Sequence, residues 1–337
     1  MKLSIGIVGL PNVGKSTLFK ALTKNDILIA NYPFATIDPN IGIVPVPDER
    51  LDKLAEMSKS KKKIPAIVEF YDIAGLVRGA SIGEGLGNQF LNHIKETQAI
   101  VEVLRCFPSS EIIHVENSVD PLRDLEIINT ELALKDLEIL EKNFKKIEGE
   151  ARTGNKEAQK DLEAFQAAKS TLEKGELLTN PQHPYILENV RMKELNLLTA
   201  KPQIYLLNGK PEDVPQQLID KIKSLGADYI IADIAEENSD LSGLIKKSYQ
   251  ILNLISFFTT GEDETRAWTI RQGAKAPEAA GVIHTDFEKK FIRAEVINWQ
   301  KLLEAGSWSK AKQKGAMRLE GKDYVVNDGD VIEVRHG

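Results

Sequence analysis

Gly9-Leu10-Pro11-Asn12-Val13-Gly14-Lys15-Ser16 decides the fold of this chain. The stretch before it, Leu3 to Val8, is a short apolar run that stops at a glycine, as a buried strand does. The stretch after it, Lys15 to Leu22, has helical spacing. Strand, glycine-rich turn and helix form the required context of a phosphate-binding loop. Glycines let backbone N–H groups converge on a phosphate, and the helix points its positive dipole end at the same place. Lys15 adds a point charge, which makes it a candidate catalytic as well as binding residue. Ser16 supplies a hydroxyl to Mg²⁺. Asn12, Val13, Gly14, Lys15, Ser16 and Thr17 are therefore the candidate phosphate-binding residues of a nucleoside triphosphate site.

Further apolar runs follow at Ile41 to Val46, Ile67 to Tyr71, Ile100 to Cys106 and Gln203 to Leu207. Their alternation with helical segments predicts a doubly wound α/β sheet. Two loops complete the nucleotide site. In Asn31 to Asp38, Thr36 is placed to reach Mg²⁺ when a third phosphate is present. In Asp72-Ile73-Ala74-Gly75, Asp72 can hold Mg²⁺ through a water and the Gly75 amide can sense the γ-phosphate. Gly79, Gly83, Gly85 and Gly87 then mark a switch segment. Ras-like enzymes carry a water-orienting glutamine just after the Gly75 position. Here it is Leu76, which has no hydrogen-bonding group. His93 and His114 are the candidate replacements, with His114 in a loop after the Ile100 to Cys106 strand. Asn12 makes K⁺ beside the phosphates a testable expectation.

A guanine-reading site needs Asn-Lys-x-Asp. The chain has Asn208-Gly209-Lys210-Pro211-Glu212-Asp213, so the carboxylate is absent from its usual spacing. That favours ATP over GTP.

The middle of the chain is charged and helical. Ala133, Leu137, Leu140, Phe144 and Ile147 recur at spacings of four and three, a heptad seam. Arg152 to Asn155 reads as a turn, and a second helix with Leu162, Phe165 and Leu172 runs back. This predicts an antiparallel helical hairpin inserted between two strands. Beyond Leu254, strands are expected at Ile255 to Thr260, Trp268 to Arg271, Phe291 to Ile297, Asp323 to Val326 and Val331 to Val334, with a tight turn joining the last two. Lys59 to Lys63 reads as a solvated basic loop. The expected division is 1–123 with 200–254 as the nucleotide-binding domain, 124–199 as the helical insertion, and 255–337 as a small α+β domain.

Bulk composition fits this. The 337 residues are 42% hydrophobic and 28% charged, with net charge -6. A mildly acidic chain meets nucleic acid only through local basic patches. Lys310, Lys312, Lys314 and Arg318 form one candidate. A single cysteine, Cys106, excludes an intramolecular disulfide and fits a reducing compartment. The sequence has no apolar run of ~18 residues that would span a membrane.

Together the motifs resemble the Obg-like ATPase family, also called YchF, over essentially the whole chain. The marks are GLPNVGKST, NYPFATIDPNIG, DIAGLVRGASIGEGLGNQFL, RCF followed by IIHV, INTELALKDLE, SFFTTGEDETRAWTIRQG, GVIHTDFEKKFIRAEVI and DYVVNDGDVIEV. The resemblance implies a Ras-like nucleotide-binding sheet, a coiled-coil insertion and a C-terminal TGS domain of β-grasp fold. It implies a cytoplasmic ATPase that prefers ATP to GTP and associates with the ribosome, chiefly the large subunit, with rRNA contacts. It makes the His114 segment the catalytic candidate, and Leu76 typical. Where that family shows Asn-x-x-Glu at the base site, this chain has Pro211 in the fourth position and Glu212 in the fifth. Asn208 and a Gly209 backbone contact are the candidate base-site residues. The end, Val334 to Gly337, also departs from the family's phenylalanine-rich tail. Two other readings stay open: a conventional GTPase, and a binding module in which hydrolysis is incidental. A P-loop kinase is disfavoured, because Thr36 and Asp72 form a switch set.

Overall fold

The computed structural model describes residues 3–23, 40–73, 91, 93–109, 112–179, 184–236 and 239–337. Residues 69–244 and the N-terminal stretch form one compact unit, and 43–68 join 245–337 in a second.

The first unit is built on a six-stranded sheet in the order β2-β4-β1-β5-β6-β7. Its strands are β1 (Ser4–Val8), β2 (Ile41–Pro45), β4 (Ile67–Asp72), β5 (Ala99–Arg105), β6 (Gln203–Asn208) and β7 (Asp228–Ala232). The pairs β1–β4, β1–β5, β5–β6 and β6–β7 are parallel. Every residue of β1, β5 and β6 is buried. That is the signature of central strands covered on both faces, and it explains their continuous apolar runs. Helix α1 (Lys15–Thr23) follows β1 directly, and α2 (Glu49–Ser58) belongs with the second unit.

The inserted arm begins inside the sheet's own core. Helix α3 (Pro121–Arg152) is capped by Asp120, which accepts from the Arg123 amide, and its Leu125 packs with Leu104, Tyr205 and Leu207. Further along, Ala133, Leu140 and Ile147 bury against Phe165, Ala168 and Leu172 of α4 (Lys156–Glu173). Leu137, Phe144 and Leu162 pack beside them. The predicted seam is therefore the real one, and the turn at Thr153-Gly154 sits where expected, with Asn155 capping α4. The pattern did not show a third component. The short helices α5 (Pro184–Glu188) and α6 (Val190–Glu194) bring Ile186 and Met192 onto the same core. Arg191 locks them there through Glu150 at 2.6 Å and Asp161 at 3.0 Å.

A buried carboxylate fixes the arm's root. Asp136 accepts from the amides of Leu198 and Thr199 at 2.8 and 2.7 Å and from the Thr199 hydroxyl at 2.6 Å. Burial pushes its pKa up to about 6, against those hydrogen bonds. Lys201, whose ammonium donates to the Lys95 and Thr97 carbonyls, closes the same corner.

The second unit carries a sheet in the order β11-β10-β12-β8-β9-β3. Its strands are β3 (Lys62–Ile64), β8 (Leu254–Thr260), β9 (Glu264–Arg271), β10 (Phe291–Asn298), β11 (Arg318–Glu320) and β12 (Asp330–His336). One buried cluster includes Phe257, Ile270, Phe291, Val296 and Ile332, with Ala276, Ala279 and Ala280 of the helix Ala276–Ile283. Two expectations need correction. The strand expected at Asp323 to Val326 is reduced to a single antiparallel bridge, Val325 with Lys275, and the Asp330 carboxylate, which accepts from the Tyr324 hydroxyl and the Asn327 amide, holds the turn just beyond it. Arg318–Glu320 pairs with β10 instead. The basic run is no loop either. Lys59 is the left-handed cap of α2, at φ 53°, and Lys62–Ile64 pairs in parallel with β9. The closing strand reaches His336, whose ring stacks on Phe287 at 4.2 Å.

Replacing Asp136 with alanine leaves two amides and one hydroxyl buried without an acceptor. We expect a loss of about 3 kcal/mol of stability, read as a lowered urea midpoint for the helical signal.

Candidate functional site

The loop Gly9 to Ser16 is held from three sides. A Cβ on Gly14, which sits at φ 109°, would meet the Asn208 side-chain nitrogen and Ile234 Cδ1 at 2.6 Å each. A Cβ on Gly9 would meet the Val103 carbonyl oxygen at 2.7 Å. Only glycine fits at either place, so the loop can lie flat on β5 and β6. Asn12 takes φ 63°, which asparagine tolerates better than most residues. Its amide donates to the Ile113 carbonyl at 3.1 Å.

Val13 is buried and supports the loop, while Ser16 and Thr17 at the start of α1 are exposed. Lys15 is buried and donates to the Leu10 carbonyl at 2.8 Å. Burial lowers its pKa to about 8, although the Asp72 carboxylate pulls the other way. Lys15 and Asp72, far apart in sequence, thus share one electrostatic neighbourhood at the ends of β1 and β4. Ser16 and Asp72 offer hard oxygen donors, the type that suits Mg²⁺. Among the described residues no cluster of three or more His, Cys, Asp or Glu could hold a metal on its own. Thr36, Gly75, Leu76 and the following glycines lie outside the described residues.

At the end of β6, Asn208 spends its whole side chain as a brace. Nδ2 donates to the Val13 carbonyl at 2.8 Å, and Oδ1 accepts from the Ile234 amide at 3.3 Å. Gly209 passes close to Cys106 and the Phe107 amide. Asp213 turns back on the chain and accepts from the Lys210 amide at 3.1 Å. The nearest aspartate to the base-reading position is therefore engaged with backbone.

His114 is buried with both ring nitrogens engaged. Nδ1 accepts from the Glu116 amide at 3.2 Å, so the proton sits on Nε2, which donates to Asp124 at 2.7 Å. Arg123 holds the other oxygen of Asp124 at 3.0 Å. Its neighbours Ile112, Ile113 and Val115 are exposed. His93, the other candidate, is exposed.

Sequence reasoning passed over three buried residues here, two of which organise this loop. Arg105, wholly buried at the end of β5, donates to the carbonyls of Phe107, Ser109 and Ile112 at 3.2, 3.3 and 3.0 Å. Asp124 anchors His114 from the first turn of α3. Glu102 sits fully buried in β5, and neither carboxylate oxygen has a hydrogen-bond partner. Burial, reinforced by the Asp124 charge, keeps it well above the usual carboxylate range. A charged residue in an otherwise apolar strand was the available signal for Glu102 and Arg105. Asp124 gave none. The Cys106 thiol is pushed up to about 12 by burial and is chemically quiet. Arg318 of the basic cluster is tied to Glu320 at 3.2 Å and lies against Tyr324, whereas Lys310, Lys312 and Lys314 are exposed.

A parallel sheet with a glycine-shaped loop leading into α1, its lysine buried and its hydroxyls exposed, defines a P-loop nucleoside triphosphate-binding protein. Residues 4–142 match a family model described as "50S ribosome-binding GTPase", and residues 254–337 match the YchF C-terminal model, described as "Protein of unknown function (DUF933)". The chain is 44% identical to the ribosome-binding ATPase YchF of Bacillus subtilis, covering 99% of each chain, and 45% identical to that of Escherichia coli O157:H7, covering 98% of each. The solved YchF GTPase of Schizosaccharomyces pombe superposes with a TM-score of 0.85 at 40% identity, over 99% of this chain and 98% of that one. The chain belongs to the YchF family.

Arg105→Met removes three carbonyl partners at once. Amide hydrogen exchange in 107–109 and 112–114 should then accelerate at least about tenfold while β1 and β6 stay protected, measured by mass spectrometry of the exchanged protein.

Proposed function

We propose that this chain is an Mg²⁺-dependent ATPase that hydrolyses ATP to ADP and phosphate slowly, as a conformational switch, and works on the ribosome in the cytoplasm. The observation that carries ATP is the base loop. Pro211 stands where guanine recognition needs a carboxylate, and Asp213 is spent on the Lys210 amide. That local hydrogen bond keeps the carboxylate folded back on its own chain. Asn208 supports the site by bracing the phosphate loop, and the Gly209 backbone is the base contact. The relatives named ribosome-binding ATPases agree with this, while the fission-yeast structure carries the name GTPase.

Lys15, released from the Leu10 carbonyl, meets the β- and γ-phosphates, and the amides of Asn12 to Thr17 cradle them. Ser16, Thr36 and Asp72, the last through a water, would hold the metal, and the Gly75 amide would report the γ-phosphate. When bound, Mg²⁺ neutralises charge developing on the phosphate oxygens. K⁺ beside the phosphates is a further element of the proposal, with the Asn12 Oδ1 oxygen as its ligand. Because Leu76 cannot orient water, His114 takes that part, which requires it to leave Asp124. The exposed Lys310, Lys312 and Lys314 offer a phosphate-facing surface for rRNA of the large subunit.

Side-by-side titration should give ATP at least about tenfold tighter binding than GTP, the worth of one well-made base contact. Clear preference for GTP would overturn the base assignment in favour of the GTPase reading. A second expectation concerns pH. Burial disfavours the Lys15 ammonium in the free protein, and bound phosphates restore it. The complex therefore holds this proton to higher pH, and ATP affinity is lost as pH rises through about 8. Above that value Kd should rise by about tenfold per pH unit, followed by calorimetry, and the slope should vanish in Lys15→Met.

A further inference from the structure

The feature the nucleotide site leaves unexplained is a buried polar layer between β5, β6 and α3. Glu102 pairs in register with Val8, the residue before the phosphate loop, on one side and with Tyr205 on the other. Gln203 shares the Tyr205 face of β6, and Asn129 reaches it from α3. The Asn129 amide donates to the Tyr205 hydroxyl at 3.5 Å, and that hydroxyl donates to the Gln203 side-chain oxygen at 2.8 Å. Among the described residues, both Glu102 oxygens, Asn129 Oδ1 and Gln203 Nε2 have no partner. All four atoms lie in a core where unpaired polar groups are rare.

Asp124 adjoins this layer: the next residue, Leu125, packs with Leu104 and with Tyr205, the register partner of Glu102, and the Asp124 charge acts on Glu102. Its Oδ2 is satisfied only while His114 stays put. Two complementary deficits therefore coexist. Glu102, held as a carboxylic acid, has a proton with no acceptor. Asp124 will have an acceptor with no donor once His114 departs.

We infer that Glu102 is a positioning residue: its carboxyl O–H takes the place of the His114 Nε2–H on Asp124 when His114 swings out to the nucleotide. No proton changes owner, because Glu102 keeps its proton and Asp124 remains the ion held by Arg123. One arrangement satisfies His114 and leaves Glu102 short, and the other does the reverse. Neither satisfies both groups, so the hydrogen bond lost when His114 leaves is offset by the one that Glu102 gains. Because Asp124 lies in the first turn of α3, the same exchange is felt at the arm's root. The inference rests on the reading of His114 as the turnover residue.

The test is steady-state ATPase activity, ATP affinity and thermal unfolding of the full chain for Glu102→Met, Glu102→Gln, His114→Ala and the double variant Glu102→Met/His114→Ala. Glu102→Met keeps the shape without a donor. We expect kcat to fall about tenfold, the rate equivalent of one unpaired buried group. KM and Kd for ATP should stay within about twofold, and the melting temperature should not drop. Glu102→Gln, whose amide can donate to Asp124, should recover most of kcat. The double variant should be no slower than His114→Ala, since Glu102 acts through His114. Unchanged kcat in Glu102→Met overturns the inference. So does an equal loss in Glu102→Gln, or a further loss in the double variant. If His114→Ala turns over normally, the reading of His114 fails and this inference with it. If only Glu102→Met is normal, the His114 reading stands alone. Should Glu102→Met not fold, Glu102→Leu is judged by the same outcomes.

Discussion

The Asn208 side chain joins three segments that are remote in sequence. Its nitrogen binds the Val13 carbonyl of the phosphate loop, and its oxygen binds the Ile234 amide beyond β7. Gly14 must be glycine because this amide and Ile234 already occupy the space a side chain would take. The brace fixes the loop against the end of β6, where the Gly209 turn starts. The phosphate loop and the end of β6 are therefore set at a fixed distance by one buried, satisfied amide. Such a group is costly to disturb in a low-dielectric core.

Around this fixed point the His114 loop is organised by charge. Arg105 gathers three carbonyls, and Asp124 holds the imidazole. A buried guanidinium pointed at carbonyl oxygens is satisfied without a carboxylate, so the loop gains order while Asp124 is left for His114. Asp124 and Leu125 belong to the same turn of α3, the helix whose far end is the arm. The anchor of His114 and the arm are thus parts of one helix. The Asp136 anchor, three turns further on, marks where the helix leaves the sheet's core for its own.

Much of this was legible from residues alone. The phosphate loop was, because backbone convergence on a phosphate demands glycines at fixed spacing. The arm was, because a heptad seam repeats in sequence as it does in space, so Leu140 and Ile147 could be placed on one helix and Phe165 on the helix that runs back. The C-terminal sheet was read less well. Val326 is apolar and buried, as in a strand, yet pairing there stops at one bridge, because the Asp330 carboxylate captures the Asn327 amide and turns the chain next to it. The lysine run suggested a loop because charge suggests solvent. An edge strand can also be charged, since one side of it faces water.

What the sequence determined by itself was every feature governed by local periodicity or a contiguous motif: the phosphate loop, the central strands, the hairpin and the missing base-site carboxylate. What only the tertiary structure decided was which polar groups are buried together. His114, Asp124 and Glu102 are separated by other residues along the chain, and which of them finds a partner is decided by the packing of α3 on β5 and β6. Burial without water makes each hydrogen bond a matter of supply among a few neighbours. No local pattern records that competition.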